Sequence, residues 1–297
     1  MTAPADLAAL KTHEISGRVQ VMEGQGGLPK IVLSSALSTA EIYLQGAHLT
    51  HFQQRNERPL LFLSRASRFA NGKAIRGGVP IIFPWFGDRA DCAAHGFARL
   101  REWTLARTES LADGAVRAVF VLDAAADEAP FHAEYCVRVG DELEIELSVT
   151  NTATDRELAF ETCLHSYFSV SDIAAVEIAG LQGVHFLDKT ADFALRQQHE
   201  SVLRIEAETD RVYLDTEGAV EILDRAWARR IVVAKSQSRS TVVWNPWMEK
   251  SARMADMAAD EYRQMLCVEV GNVGRNGVTL AAGATATLGA RLSVASL

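Results

Sequence analysis

The sequence predicts an all-β fold, read as one large antiparallel β-domain of two packed sheets over residues 1–297. Alternation with period two is its dominant pattern, helical signals are few, and no strand is regularly followed by a long amphipathic helix. The last point disfavours a doubly wound α/β arrangement. No short repeat, low-complexity tract or Pro/Gly/Ser-rich linker divides the chain.

The clearest strand is Leu143, Ile145, Leu147 and Val149, interleaved with Glu142, Glu144, Glu146 and Ser148. One face of such a strand is buried and the other is wet. Just upstream, Tyr135, Val137 and Val139 alternate with Glu134, Cys136 and Arg138, and Gly140-Asp141 between the two runs predicts an antiparallel hairpin. Further strands are expected at Lys30–Ser34, Ala40–Tyr43, Ala115–Leu122, Val220–Leu223, Arg230–Ala234, Thr241–Val243, Met265–Val270 and Ala284–Val294. Two short helices are expected, at Ala3–Thr12 and Met254–Tyr262.

A chain of 297 residues can bury a large core, and 48% apolar with 23% charged residues is ordinary for a globular protein. The formal charge of −8 disfavours nucleic acid or an anionic membrane as the main partner. An anionic small molecule is still compatible, because a few arginines can dominate one pocket. No apolar run is long enough to span a bilayer, and Met1–Leu10 lacks the pattern of a secretory signal. Cys92, Cys136, Cys163 and Cys267 are widely separated, with no C-x-x-C pair, so neither a disulfide framework nor a zinc site is expected and a cytoplasmic location is. The sequence leaves the oligomeric state open and is compatible with a monomer.

Several residues could carry chemistry. In Met265–Val270 read as a strand, Leu266, Val268 and Val270 point one way and Met265, Cys267 and Glu269 the other. Partial desolvation among such neighbours would raise the Glu269 pKa and make it a better base; a structural ion pair fits the same pattern. If Glu161–Tyr167 is extended, Glu161, Cys163, His165 and Tyr167 share a face. His165 then sits among aromatic and sulfur groups that suit proton exchange near neutral pH, or it is a core histidine satisfied by one backbone bond. His95-Gly96-Phe97-Ala98-Arg99 offers a second imidazole and a guanidinium beside a flexible glycine, or else a strand-entry turn. Ile75-Arg76-Gly77-Gly78-Val79-Pro80, continuing to Gly87, reads as a rigid irregular loop. In it Arg76 can present a planar donor fork to an anion or to vicinal hydroxyls. Phe83, Trp85 and Phe86 are core aromatics or a stacking wall. Asp210 is a turn or surface acid, or an acceptor for sugar hydroxyls. Trp244-Asn245-Pro246-Trp247 is a rigid aromatic loop, and Lys250 is a weak candidate for an anion contact.

Taken in order, Ile75–Pro80, His95–Arg99, Leu164-His165-Ser166-Tyr167-Phe168, Asp210-Arg211-Val212-Tyr213, Trp244-Asn245-Pro246-Trp247 and Cys267-Val268-Glu269 resemble the hexose-6-phosphate mutarotases. These are the glucose-6-phosphate 1-epimerase branch of the aldose 1-epimerases. The resemblance runs from about Leu28 to the C-terminus. It implies a galactose-mutarotase-like β-supersandwich and an activity that needs neither metal nor organic cofactor. It also implies a sugar phosphate as the small-molecule partner and a cytoplasmic home. Position by position it implies His165 as general acid and Glu269 as general base, with Arg76, His95, Arg99 and Asp210 binding substrate. One departure is Ala94, where this branch often carries a polar residue. The expected geometry is an acid and a base facing each other across a space the size of a hexose. Two rivals are an aldose 1-epimerase acting on unphosphorylated sugars and a non-catalytic carbohydrate-binding sandwich. A glycosidase would need two carboxylates flanking one bond, and only Glu269 and Asp210 are at hand.

Overall fold

The computed structural model describes residues 7–126 and 128–297. Its ordered pairs are antiparallel and build two large sheets, a four-stranded meander and a two-stranded ribbon. The nine-stranded sheet runs, edge to edge, through Val202–Leu203, Val176–Ala179, Val220–Asp224, Arg229–Ser236, Thr285–Ser296, Leu143–Asn151, Phe131–Val139, Val116–Asp123 and Thr104–Ser110. The predicted hairpin is here: Val139 pairs with Leu143 across Gly140-Asp141, and the register holds to Phe131 opposite Asn151. The inward residues of these strands are almost fully buried and alternate with half-exposed ones, so the pattern read from sequence is the pattern of burial.

The eight-stranded sheet is shorter-stranded and less regular. Its order is Ala194–Gln197, His185–Asp188, Thr209–Leu214, Ser240–Asn245, Met265–Asn272, Thr162–Leu164 and Ile81–Ile82. Tyr167–Ser169 pairs with the first half of Met265–Asn272. One apolar cluster lies between the layers. It takes Tyr213, Val243, Leu266, Val268 and Val270 from this sheet, Tyr135, Val137, Leu147, Ile231 and Leu292 from the other, and Ile31, Leu33 and Ile42 from the four-stranded meander. At roughly 25 cal/mol per Å² of apolar surface removed from water, burial on this scale is the main force holding the layers together.

Two expectations change. The α-helix expected over Met254–Tyr262 is absent; a helical turn precedes it at Trp247–Ser251, and a 3-10 turn, Glu261–Gln264, overlaps its last two residues. The reason is tertiary. Buried Glu261 accepts from Ser64 Oγ (2.6 Å) and the Arg65 and Ala258 amides (both 2.8 Å), while Asp256 pairs with Arg76 at 3.0 Å. Those bonds outweigh helix propensities worth only tenths of a kcal/mol per residue. At the N-terminus Leu7–Leu10 is helical and Lys11–His13 forms a 3-10 turn; the first residues of the segment expected to be helical lie outside the described residues. Among the described residues no helix is long and apolar enough to cross a membrane.

Candidate active site

The floor of the site is one face of the eight-stranded sheet. Directly opposed residues of an antiparallel pair point to the same side, and the register lines up Asp210, Trp244, Cys267 and Tyr167 across four strands. The next row on that face holds Val212, Val242 and Glu269. The other face of the same central strand feeds Leu266, Val268 and Val270 into the main core. The alternation read for Met265–Val270 is therefore the division between core and site.

His165 reaches the site from a break in its strand. The expected extended run over Glu161–Tyr167 is interrupted at His165-Ser166, because backbone bonds go elsewhere: the His165 amide donates to Pro80 O (3.1 Å) and the Tyr167 amide to Gly78 O (2.9 Å). The imidazole stacks on Tyr167, with ring centroids 4.8 Å apart and planes 8° from parallel, and meets Trp244 edge-on. Its Nε2 lies 3.4 Å from Glu269 Oε1. Only 6% of His165 and 1% of Glu269 are exposed. The two groups thus touch, instead of facing each other across a hexose-sized gap as the sequence reading expects. At that separation no small molecule fits between the two groups.

Burial pushes the His165 pKa well below the ordinary value, helped by His95, Arg99 and Arg76 nearby. Burial pushes Glu269 well above the ordinary value, with Asp210 adding to the rise. Desolvation disfavours the charged form of each group. The pair accordingly favours a neutral carboxyl and a neutral imidazole, with one proton between them. Cys163 Sγ donates to Glu269 Oε2 at 3.4 Å and fixes the carboxyl from its far side.

His95 stands beside this pair, its ring centroid 5.6 Å from that of His165 and 5.0 Å from that of Phe86. The turn is tight: His95 and Gly96 both have positive φ, and a Cβ on Gly96 would fall 2.0 Å from Phe83 O. Only glycine fits there. The Gly87 amide donates to His95 Nδ1 (3.2 Å), which leaves Nε2 to carry the proton of the neutral ring. Burial, then Arg99, Lys189 and Arg76, lower the His95 pKa to about 3, so this ring is a neutral donor throughout the physiological range.

The cations divide by partner. Arg76 donates to the Tyr167 hydroxyl (2.8 Å) and to Asp256 (3.0 Å), which ties it to the ring beneath His165. Arg99 has no carboxylate partner among the described residues. Its Nη2 donates to Ala94 O at 2.8 Å and its buried Nε has no bond. The backbone carbonyl of Ala94 is therefore used even though its side chain is not polar. Asp210 pairs with Lys189 (3.2 Å), and burial raises its pKa despite that partner. Lys250 is taken up by Glu208 at 2.7 Å.

The structure thus gathers His165, Glu269, His95, Arg76, Arg99 and Asp210 around one floor. Sequence reasoning misses Lys189 and Asp256. Lys189 opens a short turn after a strand, and Asp256 lies in the segment read as helix. Neither position carries a local pattern. Glu161, named only for its face, has a supporting role: Oε2 accepts from the Phe86 amide (2.9 Å) and Oε1 from the Gly274 amide, tying the aromatic rim to a neighbouring turn.

Residues 29–293 match the family profile of aldose 1-epimerase. The chain belongs to the aldose 1-epimerase family. Within that family it is 37% identical over 249 residues to a protein of Escherichia coli K12 provisionally named a glucose-6-phosphate 1-epimerase, covering 82% of each chain. A crystal structure from Salmonella typhimurium, described provisionally as a mutarotase, superposes with a TM-score of 0.84 at 32% identity, covering 94% of this chain and 97% of that one. A galactose mutarotase-like protein of Clostridium acetobutylicum shares the fold alone, with a TM-score of 0.71 at 14% identity, covering 94% of this chain and 98% of that one. This aldose 1-epimerase family member therefore has the galactose-mutarotase-like all-β architecture that its motifs imply.

Proposed function

We propose that this protein interconverts the α and β anomers of an aldohexose 6-phosphate, with glucose 6-phosphate the first substrate to test, by acid–base opening and closure of the sugar ring. The observation that carries this reading is the 3.4 Å contact between the buried imidazole of His165 and the buried carboxyl of Glu269. One exchangeable proton between an acid and a base, under an aromatic and cationic rim, is what an anomer exchange requires. In this reading the whole chain acts as one domain, its two large sheets sharing the apolar cluster that supports the pocket.

Glu269 takes the proton of the anomeric hydroxyl. The electron pair on that oxygen forms the carbonyl, the bond from C1 to the ring oxygen breaks, and His165 as imidazolium gives its proton to the ring oxygen. The aldehyde turns about the C1–C2 bond, and the reverse steps close the ring on its other face. The pair holds one proton before and after opening. After opening that proton is on Glu269, the arrangement burial already favours. The imidazolium form needed at the start is promoted by the substrate itself. Arg99 and Arg76 depress the His165 pKa, and a phosphate dianion beside them offsets that effect. His95, as a neutral donor, steadies the oxygen that carries developing charge. Asp210 accepts from sugar hydroxyls.

Arg99 supports a phosphorylated substrate over a neutral sugar. A guanidinium near the pocket with no carboxylate partner among the described residues leaves a fork for a phosphate oxygen pair. The cytoplasm, where sugar phosphates are held, is the compartment proposed. The test is NMR magnetization exchange between the anomers of glucose 6-phosphate and, separately, of glucose, with and without protein. Faster exchange for the phosphate than for glucose is expected. Equal acceleration of both would reassign the protein to unphosphorylated sugars, and acceleration of neither would leave only a binding role.

A further inference from the structure

Besides an acid and a base, the pocket floor holds a thiol that the proposed reaction leaves idle. An imidazole nitrogen of His165, Cys267 Sγ and a carboxylate oxygen of Glu269 all lie within 4.8 Å of one another, and all three residues are buried. Cys267 and Glu269 come together because they are two apart on one strand and share its face; His165 comes from the break opposite. We infer that the acid–base centre is also a binding site for a thiophilic divalent cation, zinc above all, held by His165, Cys267 and Glu269 with a fourth position open to the pocket.

Nitrogen, sulfur and oxygen donors in a group of three with one open position are what zinc accepts in reactive sites. Bonds of about 2.0–2.3 Å place the donors of a tetrahedral ion roughly 3.3–3.7 Å apart, so a spacing of up to 4.8 Å must contract by up to about 1.5 Å. Two features favour that movement. His165 Nδ1 makes no hydrogen bond, so the ring can turn within its stack on Tyr167. Cys163 occupies Glu269 Oε2 and leaves Oε1 on the His165 side. On binding, the ion displaces the thiol proton of Cys267 and the carboxyl proton to solvent. A dication with one thiolate and one carboxylate is then neutral as a unit, which suits a site shut off from water. That neutrality also offsets the repulsion of Arg76, Arg99 and Lys189. Magnesium and calcium, which demand oxygen donors, do not fit. An occupied site has neither its acid nor its base free, so the ion is an inhibitor.

The test uses Co²⁺ as a probe on the full chain stripped with EDTA. Tetrahedral Co²⁺ bands in the visible range and a sulfur-to-cobalt charge-transfer band in the near ultraviolet are expected, with Zn²⁺ displacing the cobalt. Cys267→Ser should abolish the charge-transfer band, while Cys92→Ser and Cys136→Ser keep it. Should Cys267→Ser fail to fold, His165→Gln gives the second reading: the sulfur band remains and Zn²⁺ affinity falls more than about tenfold. Zn²⁺, but not Mg²⁺, should also stop anomer exchange, and EDTA should restore it. A charge-transfer band that survives Cys267→Ser, a six-coordinate spectrum without it, or unchanged affinity in His165→Gln would overturn the site. The spectra decide this even if the protein exchanges no anomers.

Discussion

The two faces of the strand Met265–Asn272 are built from the same backbone and have opposite tasks. Leu266, Val268 and Val270 pack into the main cluster, where shape and volume decide their worth. Met265, Cys267 and Glu269 face the site, where a thiol and a carboxyl stand side by side and the carboxyl is held at 1% exposure. A carboxyl that deep is a cost to folding unless it is neutral or partnered, and here it is partnered by an imidazole and a thiol. The difference teaches that a strand can spend one face on stability and the other on reactivity, because period two keeps the two sets of side chains from sharing neighbours.

Breaking the reactive face should give the largest effect. Glu269→Gln and His165→Ala are each expected to slow catalysed exchange by about 10²–10⁴-fold, the range for a positioned acid or base. Circular dichroism and Tm should stay close to those of the parent protein; normal exchange in either variant refutes the role given to that residue. Breaking the packed face should do the reverse. Leu266→Ala is expected to cost about 2–5 kcal/mol in urea unfolding while the folded fraction keeps its turnover. A turnover loss as deep as that of Glu269→Gln would mean the faces are not independent.

Two smaller effects sharpen the contrast. Arg99→Met should raise KM for glucose 6-phosphate by roughly 10–150-fold, the worth of one to two charge-assisted bonds, and change exchange of glucose little. Equal losses on both sugars would place Arg99 on hydroxyls. The last effect concerns pH. His48 is fully buried under the Arg76 loop, where its Nε2–H donates to Gly77 O (2.7 Å), and burial lowers its pKa to about 4. The unfolded chain takes up this proton below about pH 6.5 and the folded chain does not until about pH 4. Stability from this group is therefore complete above pH 6.5 and lost as pH falls toward 4. His95, lowered to about 3, acts in the same direction, whereas Glu269 and Asp210, both raised, act in the opposite one. Comparing His48→Gln with the parent isolates the term. The variant should lose about 1–2 kcal/mol less between pH 7 and pH 5, and parallel denaturation curves would disprove it.

Legibility followed the same line between regular packing and tertiary encounter. The hairpin around Gly140-Asp141 and the two faces of Met265–Val270 are readable because alternation is a local record of burial. The division of Glu161–Tyr167 between two short strands, Thr162–Leu164 and Tyr167–Ser169, is not readable, since the break at His165 is imposed by carbonyls of Gly78 and Pro80 far away in sequence. Asp256 was hidden in a segment of helix-forming residues whose side chains bond elsewhere.

Sequence by itself determined the all-β class, the alternating faces of the hairpin strands and of Met265–Val270 and, through its motifs, the family and the six residues that converge. Only the tertiary structure decided that His165 touches Glu269, that Arg99 has no carboxylate partner among the described residues, and that Lys189 and Asp256 stand beside Asp210 and Arg76. The reason is physical. Burial along a strand repeats every two residues and can be read from neighbours in the chain, whereas the distance between two charges depends on which strands the sheet sets side by side.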